Sequence, residues 1–146
     1  MYAKPLGFTL VELVAVIVIL GILSATVASR MMPSRIHQLQ GARDIVIASL
    51  FNAQQKALAQ KHTVQVITTA TSVDIRVDSN NNGSFSVNES ITYAGTRYPL
   101  TIPSGVSLNS NTLTFDRLGR TPATSLTLSK SGGSVNLTIT GMGYAY

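Results

Sequence analysis

The sequence predicts an α+β fold: a long N-terminal helix, membrane-spanning in its first half, lays its second half on an antiparallel β-sheet. Three observations predict it. The 22 residues from Phe8 to Ser29 carry a single charged side chain, Glu12. Apolar residues then recur with a helical period as far as Gln60. From Val64 onward, short segments alternate apolar and polar residues between turns rich in Gly, Asn and Ser. These changes divide the chain into a leader at 1–7, a transmembrane helix at 8–29, an amphipathic helix at 30–61 and a β-rich domain at 62–146.

The N-terminal run comes first because its length decides what it can do. A helix rises about 1.5 Å per residue, so residues 8–29 reach roughly 33 Å. A bilayer's hydrocarbon core is about 30 Å thick, and nothing later in the chain is apolar for as long. Glu12 is the anomaly, because a carboxylate near the membrane end of a helix costs up to about 2.5–3.5 kcal/mol on insertion scales. A shallow glutamate can snorkel to the headgroups. It can also pair with a cation supplied by another chain. Cutting after Gly7 would free an ammonium on Phe8, four residues before Glu12, and a pair between that ammonium and a neighbour's Glu12 neutralises both charges.

Gly7-Phe8-Thr9-Leu10-Val11-Glu12, followed by an apolar run containing Gly21, strongly resembles the class III signal of type IV pilins and type II secretion pseudopilins. The resemblance covers about the first fifth of the chain. It implies that a membrane-embedded prepilin peptidase cuts between Gly7 and Phe8 and methylates the new N-terminus. It also implies that Glu12 guides docking between subunits. The implied partners are other pilin or pseudopilin subunits, the peptidase, an inner-membrane assembly platform, and membrane lipid before assembly. The implied location is the bacterial inner membrane, with one span and a periplasmic C-terminal domain, and then a pilus or pseudopilus. The implied fold is pilin-like. One departure is that Ser29 stands where such families often have proline, which here comes at Pro33.

Competing readings of the N-terminus fit less well. A secretory signal peptide has an apolar region of about 7–15 residues without an acid and is cut on its far side. An unprocessed anchor of another class would keep Met1. Lys4 on one side faces Arg30 and Arg35 on the other, so charge does not set the orientation.

Beyond the anchor, Ile36, Leu39, Val46, Ile47, Leu50, Ala53, Ala57 and Leu58 fall on one stripe at 100° per residue, interrupted by Arg43 and Gln54. Ile45 lies on the opposite side. The spacing predicts an amphipathic helix from Ser34 to about Gln60, closed by Lys61-His62. Pro33 predicts a kink, and the resemblance implies that the zone from Gly21 to Pro33 melts locally in a filament.

Val64–Ile67 and Val73–Val77 read as half-buried strands. Tyr98–Ile102, broken by Pro99, reads as an edge strand, and Leu113–Phe115 as a short strand. Lys130-Ser131-Gly132-Gly133 joins Leu126–Leu128 to Val135–Ile139 as a hairpin. Within the family the order of features is most similar to H-type pseudopilins and to FimT-like and MSHA-type minor pilins. These carry an Ala-rich helix end before a valine strand, an Asp-Asn-Gly-Glu loop, and a late Phe-x-x-x-Gly segment, matched here by Phe115 and Gly119. The usual Ala-Arg at the helix end is Ala53-Gln54 in this chain.

Asp78 to Glu89 fits the calcium-loop pattern D-x-[DN]-x-[DN]-G-x5-E at every specified place. Calcium would take oxygens of Asp78, Asn80, Asn82, Ser84, Ser86 and Glu89, with Gly83 allowing the turn. Two charged ligands imply weak binding, in the extracellular range of about 10⁻⁴–10⁻³ M, by a structural ion. The alternative is a hairpin turn built on Asn82-Gly83.

The residue inventory gives enzyme chemistry little to use, and no cofactor is required. Cys is absent, so neither disulfides nor thiol chemistry are available. His37 and His62 have no metal-ligand spacing, and the glycine-rich pieces near Gly132 and Gly141 lack the lysine of a phosphate loop. The formal net charge of +5 is modest, and Trp is absent, which disfavours stacking platforms for sugars or single strands. Arg117, Arg120 and Lys130 near turns support the alternative of a DNA- or surface-binding minor pilin, if they converge.

Overall fold

The computed structural model describes residues 9–30 and 35–146. The chain divides into two units, Met1–Ser34 and Arg35–Tyr146. The expected kink at Pro33 and the cleavage pair Gly7 and Phe8 lie outside the described residues.

In the first unit, α1 spans Leu10–Arg30. Its start is set by Thr9, whose Oγ1 accepts the Glu12 N–H (3.2 Å) while its carbonyl accepts the Leu13 N–H (3.2 Å). Thr9 thus satisfies one of the donors that a helix N-terminus leaves free. The large apolar side chains from Leu10 to Leu23 are all exposed within this unit. Among the described residues no helix is long and apolar enough to cross a membrane.

In the second unit, α2 spans Arg35–Gln60 and ends at Lys61, whose φ of 53° places it in the left-handed conformation that stops helices. Leu39, Ala42, Val46, Leu50, Ala53 and Ala57 form its buried face. The alanines have no side chain beyond Cβ, which lets the helix approach the strands beneath it. The expected stripe is corrected at its margins. Ile36 is 65 % exposed and Leu58 43 %, while Ile45, expected on the opposite side, packs against the core. A stripe more than 100° wide takes in flanking positions that a strict period leaves out.

The strands are β1 (Val64–Thr68), β2 (Ser72–Val77), β3 (Thr92–Tyr93), β4 (Thr96–Arg97), β5 (Leu100–Thr101), β6 (Ser107–Leu108), β7 (Asn111–Phe115), β8 (Thr124–Lys130) and β9 (Gly133–Ile139). They form an antiparallel sheet of order β5-β2-β1-β7, a second of order β6-β8-β9, and a small β3-β4 pair. The edge position of β5 agrees with the reading of Pro99. The β8–β9 hairpin also forms as expected. Ser131 and Gly132 have φ of 33° and 88°, the two positive values that a tight hairpin turn with the correct twist requires.

The core lies between α2 and the two larger sheets. Val64, Val66, Ile75, Phe115, Leu126, Leu128, Leu137 and Ile139 are all fully buried there. Burying a side chain of this kind is worth about 1.5–3 kcal/mol, so these alternating positions fix which face of each strand turns inward. Simple alternation fails at β2, where Asp74 is buried beside Val73 and Ile75. Its partners explain the exception. Asp74 Oδ2 accepts Arg76 Nε–H (2.8 Å), and Ser90 Oγ reaches both Asp74 oxygens at 2.8 Å.

Candidate functional site

The motif residues within the described part occupy the first turn of α1. Thr9 is the N-cap, and Glu12 stands at the third helical position, the place of the acid in a Ser/Thr-x-x-Glu capping box. A carboxylate there also faces the positive end of the helix dipole. Glu12 is exposed, as are its neighbours Val11 (78 %) and Leu13 (61 %), so the carboxylate is available to a cation from another chain. The helix cap at Thr9 is legible in the Thr9-x-x-Glu12 spacing, an N-terminal role for Thr9 that stands beside the membrane and docking roles expected of Glu12.

The second candidate is the loop after β2. Asp78 is 6 % exposed. Its Oδ1 accepts the Asn82 N–H and its Oδ2 the Gly83 N–H, both at 3.0 Å. Asn80 Oδ1 accepts the Asn82 N–H (3.0 Å), and Asn82 Oδ1 accepts the Ser84 N–H (2.8 Å). Gly83 takes a φ of 74°, the conformation for which the pattern requires glycine. A one-turn 3₁₀ helix at Val87–Glu89 follows, in which Glu89 Oε2 accepts Ser86 N–H (2.8 Å) and Ser86 Oγ–H (3.1 Å). Glu89 Oε1 is buried without a partner.

The hairpin alternative for Asn82-Gly83 is not what forms, since β2 meets the far side of the loop only in an isolated bridge between Arg76 and Ser90. Arg76 Nη1 ties the loop down by donating to the Phe85 carbonyl (3.0 Å). Among the described residues no group of three or more His, Asp or Glu side chains is placed to hold a metal.

The basic residues do not form one patch. Arg120 donates through Nε to Asp116 Oδ2 (3.1 Å). The Arg120 backbone N–H, with that of Leu118 and the Arg120 guanidinium, holds the Asp116 carboxyl below the usual carboxylate range. Lys130 lies at the other end of β8, with Nζ 3.5 Å from the Ser104 carbonyl. Arg117 is the remaining exposed cation of the three.

Gln54, which interrupts the stripe of α2, is a junction. Buried at 8 % exposure, its Nε2 donates to the carbonyls of Gly119 (3.0 Å) and Met142 (2.8 Å). The late Phe-x-x-x-Gly segment owes its form to this contact. Phe115 is fully buried, and a Cβ on Gly119 would come within 3.0 Å of Gln54 Cγ and 3.2 Å of Leu58 Cγ.

These features define a class of protein: a prepilin-type N-terminal motif joined to an α+β pilin fold. Residues 3–28 match the prokaryotic N-terminal methylation motif. The fold is similar to that of the type IV minor pilin FimU of Pseudomonas aeruginosa PAO1. One crystal form of FimU (P21) aligns with a TM-score of 0.55 at 16 % identity, covering 77 % of this chain and 90 % of that one. A second (P65) gives 0.52 at 17 % identity, covering 74 % and 90 %. No curated protein matches in sequence.

Proposed function

We propose that this chain is a non-enzymatic minor pilin, a subunit that loses residues 1–7 and joins a helical filament through α1. The observation that carries the reading is Glu12, the one charged residue from Phe8 to Ser29, exposed on the first turn of a helix within the methylation motif. In this reading prepilin peptidase cuts between Gly7 and Phe8 and methylates Phe8. The new ammonium pairs with Glu12 of a neighbouring subunit in an apolar surround, where an unpaired charge would be costly. Before assembly the apolar side chains of α1 are held in the inner membrane as a single span, with the β-rich unit in the periplasm. The assembly platform then moves the subunit into the filament. The fold that this chain shares with FimU, a type IV minor pilin, is compatible with this reading.

Mass spectrometry of the N-terminal peptide tests the processing step. The mature chain should begin with methylated Phe8, and a chain that keeps Met1 in cells with active peptidase refutes it. Glu12→Ala should prevent incorporation into filaments while leaving that cleavage intact, and normal incorporation would remove the pairing role. A DNA-binding role draws less support, because Arg120 is matched by Asp116 and Lys130 stands apart.

The loop at 78–89 supports a weakly bound structural calcium ion through Asp78, Asn80, Asn82, Ser84, Ser86 and Glu89. The specific observation in its favour is the unpartnered, buried Glu89 Oε1 in an otherwise all-oxygen donor set, the type that calcium selects. Calorimetry should show saturable binding at about millimolar calcium, weakened by Glu89→Gln. No heat and no thermal shift at that concentration would exclude the ion.

A further inference from the structure

Asn82-Gly83 is the one Asn-Gly pair in the sequence. Such a pair can react with itself, because the glycine nitrogen can attack the asparagine carboxamide. Glycine has no Cβ to clash during that approach, and asparagine is among the chemically labile residues. Here the pair is open to water. Asn82, Gly83 and Ser84 are all exposed, and a Cβ on Gly83 would meet nothing within 4 Å. Neither burial nor crowding protects it.

Hydrogen bonds hold the reacting atoms instead. The nucleophile is the Gly83 nitrogen, and its N–H donates to Asp78 Oδ2 (3.0 Å). The electrophile is Cγ of Asn82, and its Oδ1 accepts the Ser84 N–H (2.8 Å). The Asn82 N–H is held by Asp78 Oδ1 and Asn80 Oδ1, both at 3.0 Å. Asp78 is itself fixed: it is buried, and its own N–H donates to the Thr63 carbonyl just before β1 (3.1 Å). The far side of the loop is tied by Arg76 Nη1 to the Phe85 carbonyl (3.0 Å).

These bonds oppose what the reaction needs. The Gly83 nitrogen must lose its proton before it attacks. A carboxylate that accepts that N–H favours the protonated amide and repels the anion that would replace it. The bond to Ser84 holds the carboxamide in one rotamer, whereas a free side chain samples those from which Cγ meets the nitrogen. The reaction therefore belongs to the opened loop, a local event that needs no global unfolding.

We propose that Asn82 is a deamidation site gated by Asp78: the closed loop preserves Asn82, and opening of the loop lets it convert irreversibly. Hydroxide takes the Gly83 amide proton, and the nitrogen forms a bond to Asn82 Cγ. The bond from Cγ to the side-chain nitrogen breaks, and ammonia leaves with a proton from water, which restores the hydroxide. Water then opens the resulting succinimide at one of its two carbonyls, giving aspartate or isoaspartate at position 82. Nothing is oxidised or reduced. Either product adds a carboxylate beside Asp78. The isoaspartate also lengthens the main chain by one carbon just before Gly83, which moves that N–H off Asp78 and prevents the closed loop from re-forming. A chain whose loop has opened is thus marked. The inference depends on neither the filament reading nor the calcium reading.

The test follows the full chain, purified in detergent, during incubation at mildly alkaline pH with a chelator present. Peptide mass spectrometry reads the conversion of Asn82 and, in the same samples, of Asn109, an exposed asparagine before Ser110 that serves as the internal control. Asn82 in the folded chain should convert at least about tenfold more slowly than in the same chain in urea, the equivalent of one hydrogen bond to a charged group. Asp78→Asn removes the carboxylate at nearly constant shape. It should speed conversion of Asn82 about tenfold and leave Asn109 unchanged.

Equal rates for Asn82 in the folded chain and in urea overturn the gate, and this comparison stands even if Asp78→Asn does not fold. A folded Asp78→Asn chain that converts no faster than wild type overturns the role of Asp78. So does one in which Asn82 and Asn109 quicken together, because the whole fold has then loosened.

Discussion

Replacing Gln54 tests whether α2 is stapled to the C-terminal loops in the way the structure shows. Gln54→Met keeps the length and most of the volume of the side chain but removes both donors. The carbonyls of Gly119 and Met142, bonded at 3.0 and 2.8 Å, then lose their partner at a site where Gln54 is 8 % exposed. Leaving a buried acceptor unpaired costs about 1–3 kcal/mol, and the Met142 side is only part-buried, so the sum should be about 2–4 kcal/mol. For a unit of roughly 100 residues that lowers Tm by about 8–16 °C at the gentle end of the usual conversion.

Gly143→Ala attacks the same junction from the other side. Its φ is 83°, and a Cβ there would collide with the Gly119 carbonyl and come within 2.6 Å of Gln54 Nε2 and 3.1 Å of Phe115 Cε1. Because both changes break one contact, the double variant should lose at least about 1 kcal/mol less than the sum of the singles. Urea unfolding followed by tyrosine fluorescence suits a chain with 5 Tyr and 0 Trp. A Gln54→Met cost below about 0.5 kcal/mol, or full additivity with Gly143→Ala, would refute the staple.

Asp74→Ala should cost about 2–4 kcal/mol, since it strands Arg76, whose side chain is 18 % exposed, and frees Ser90. Amide exchange should then quicken at Ile91, whose N–H donates to the Ile75 carbonyl, and unchanged exchange there would mean that Asp74 does not hold the loop down. Asp116→Asn should lower stability at neutral pH, because the folded protein favours the Asp116 carboxylate and holds its pKa below the ordinary 3.8. The sign follows from linkage: the contribution is full above the unfolded pKa and disappears as pH falls through the lower folded one. The gap between wild type and variant should therefore close only in that acid range, and a gap that persists at still lower pH refutes the assignment. Thr9→Ala should weaken the start of α1 by about 0.5–2 kcal/mol, seen as faster amide exchange at Glu12.

Much of the fold was legible because it is written locally. The β8–β9 hairpin follows from a turn that needs positive φ at two adjacent residues and from apolar alternation on either side. The end of α2 at Lys61 follows from the loss of period. The N-terminal motif is likewise a matter of residue type and order over a few positions, and its match over residues 3–28 needs no tertiary information. The cap at Thr9 was equally readable, as a threonine three residues before a glutamate.

Other features depend on partners far away in sequence, and no local pattern contains them. Gln54 and Asp74 look like errors in an apolar stripe and an alternating strand until Gly119, Met142, Arg76 and Ser90 are brought beside them. The register that gives β7 to β1 is set by how Leu113 and Phe115 bury against α2. The sequence by itself determined an apolar N-terminal helix that carries the methylation motif, followed by a helix-on-strands unit, because those properties reside in period, composition and turn chemistry. Only the tertiary structure decided which polar side chains are internal and which strand edges pair, because both depend on which carbonyls and edges the packed chain leaves without a neighbour.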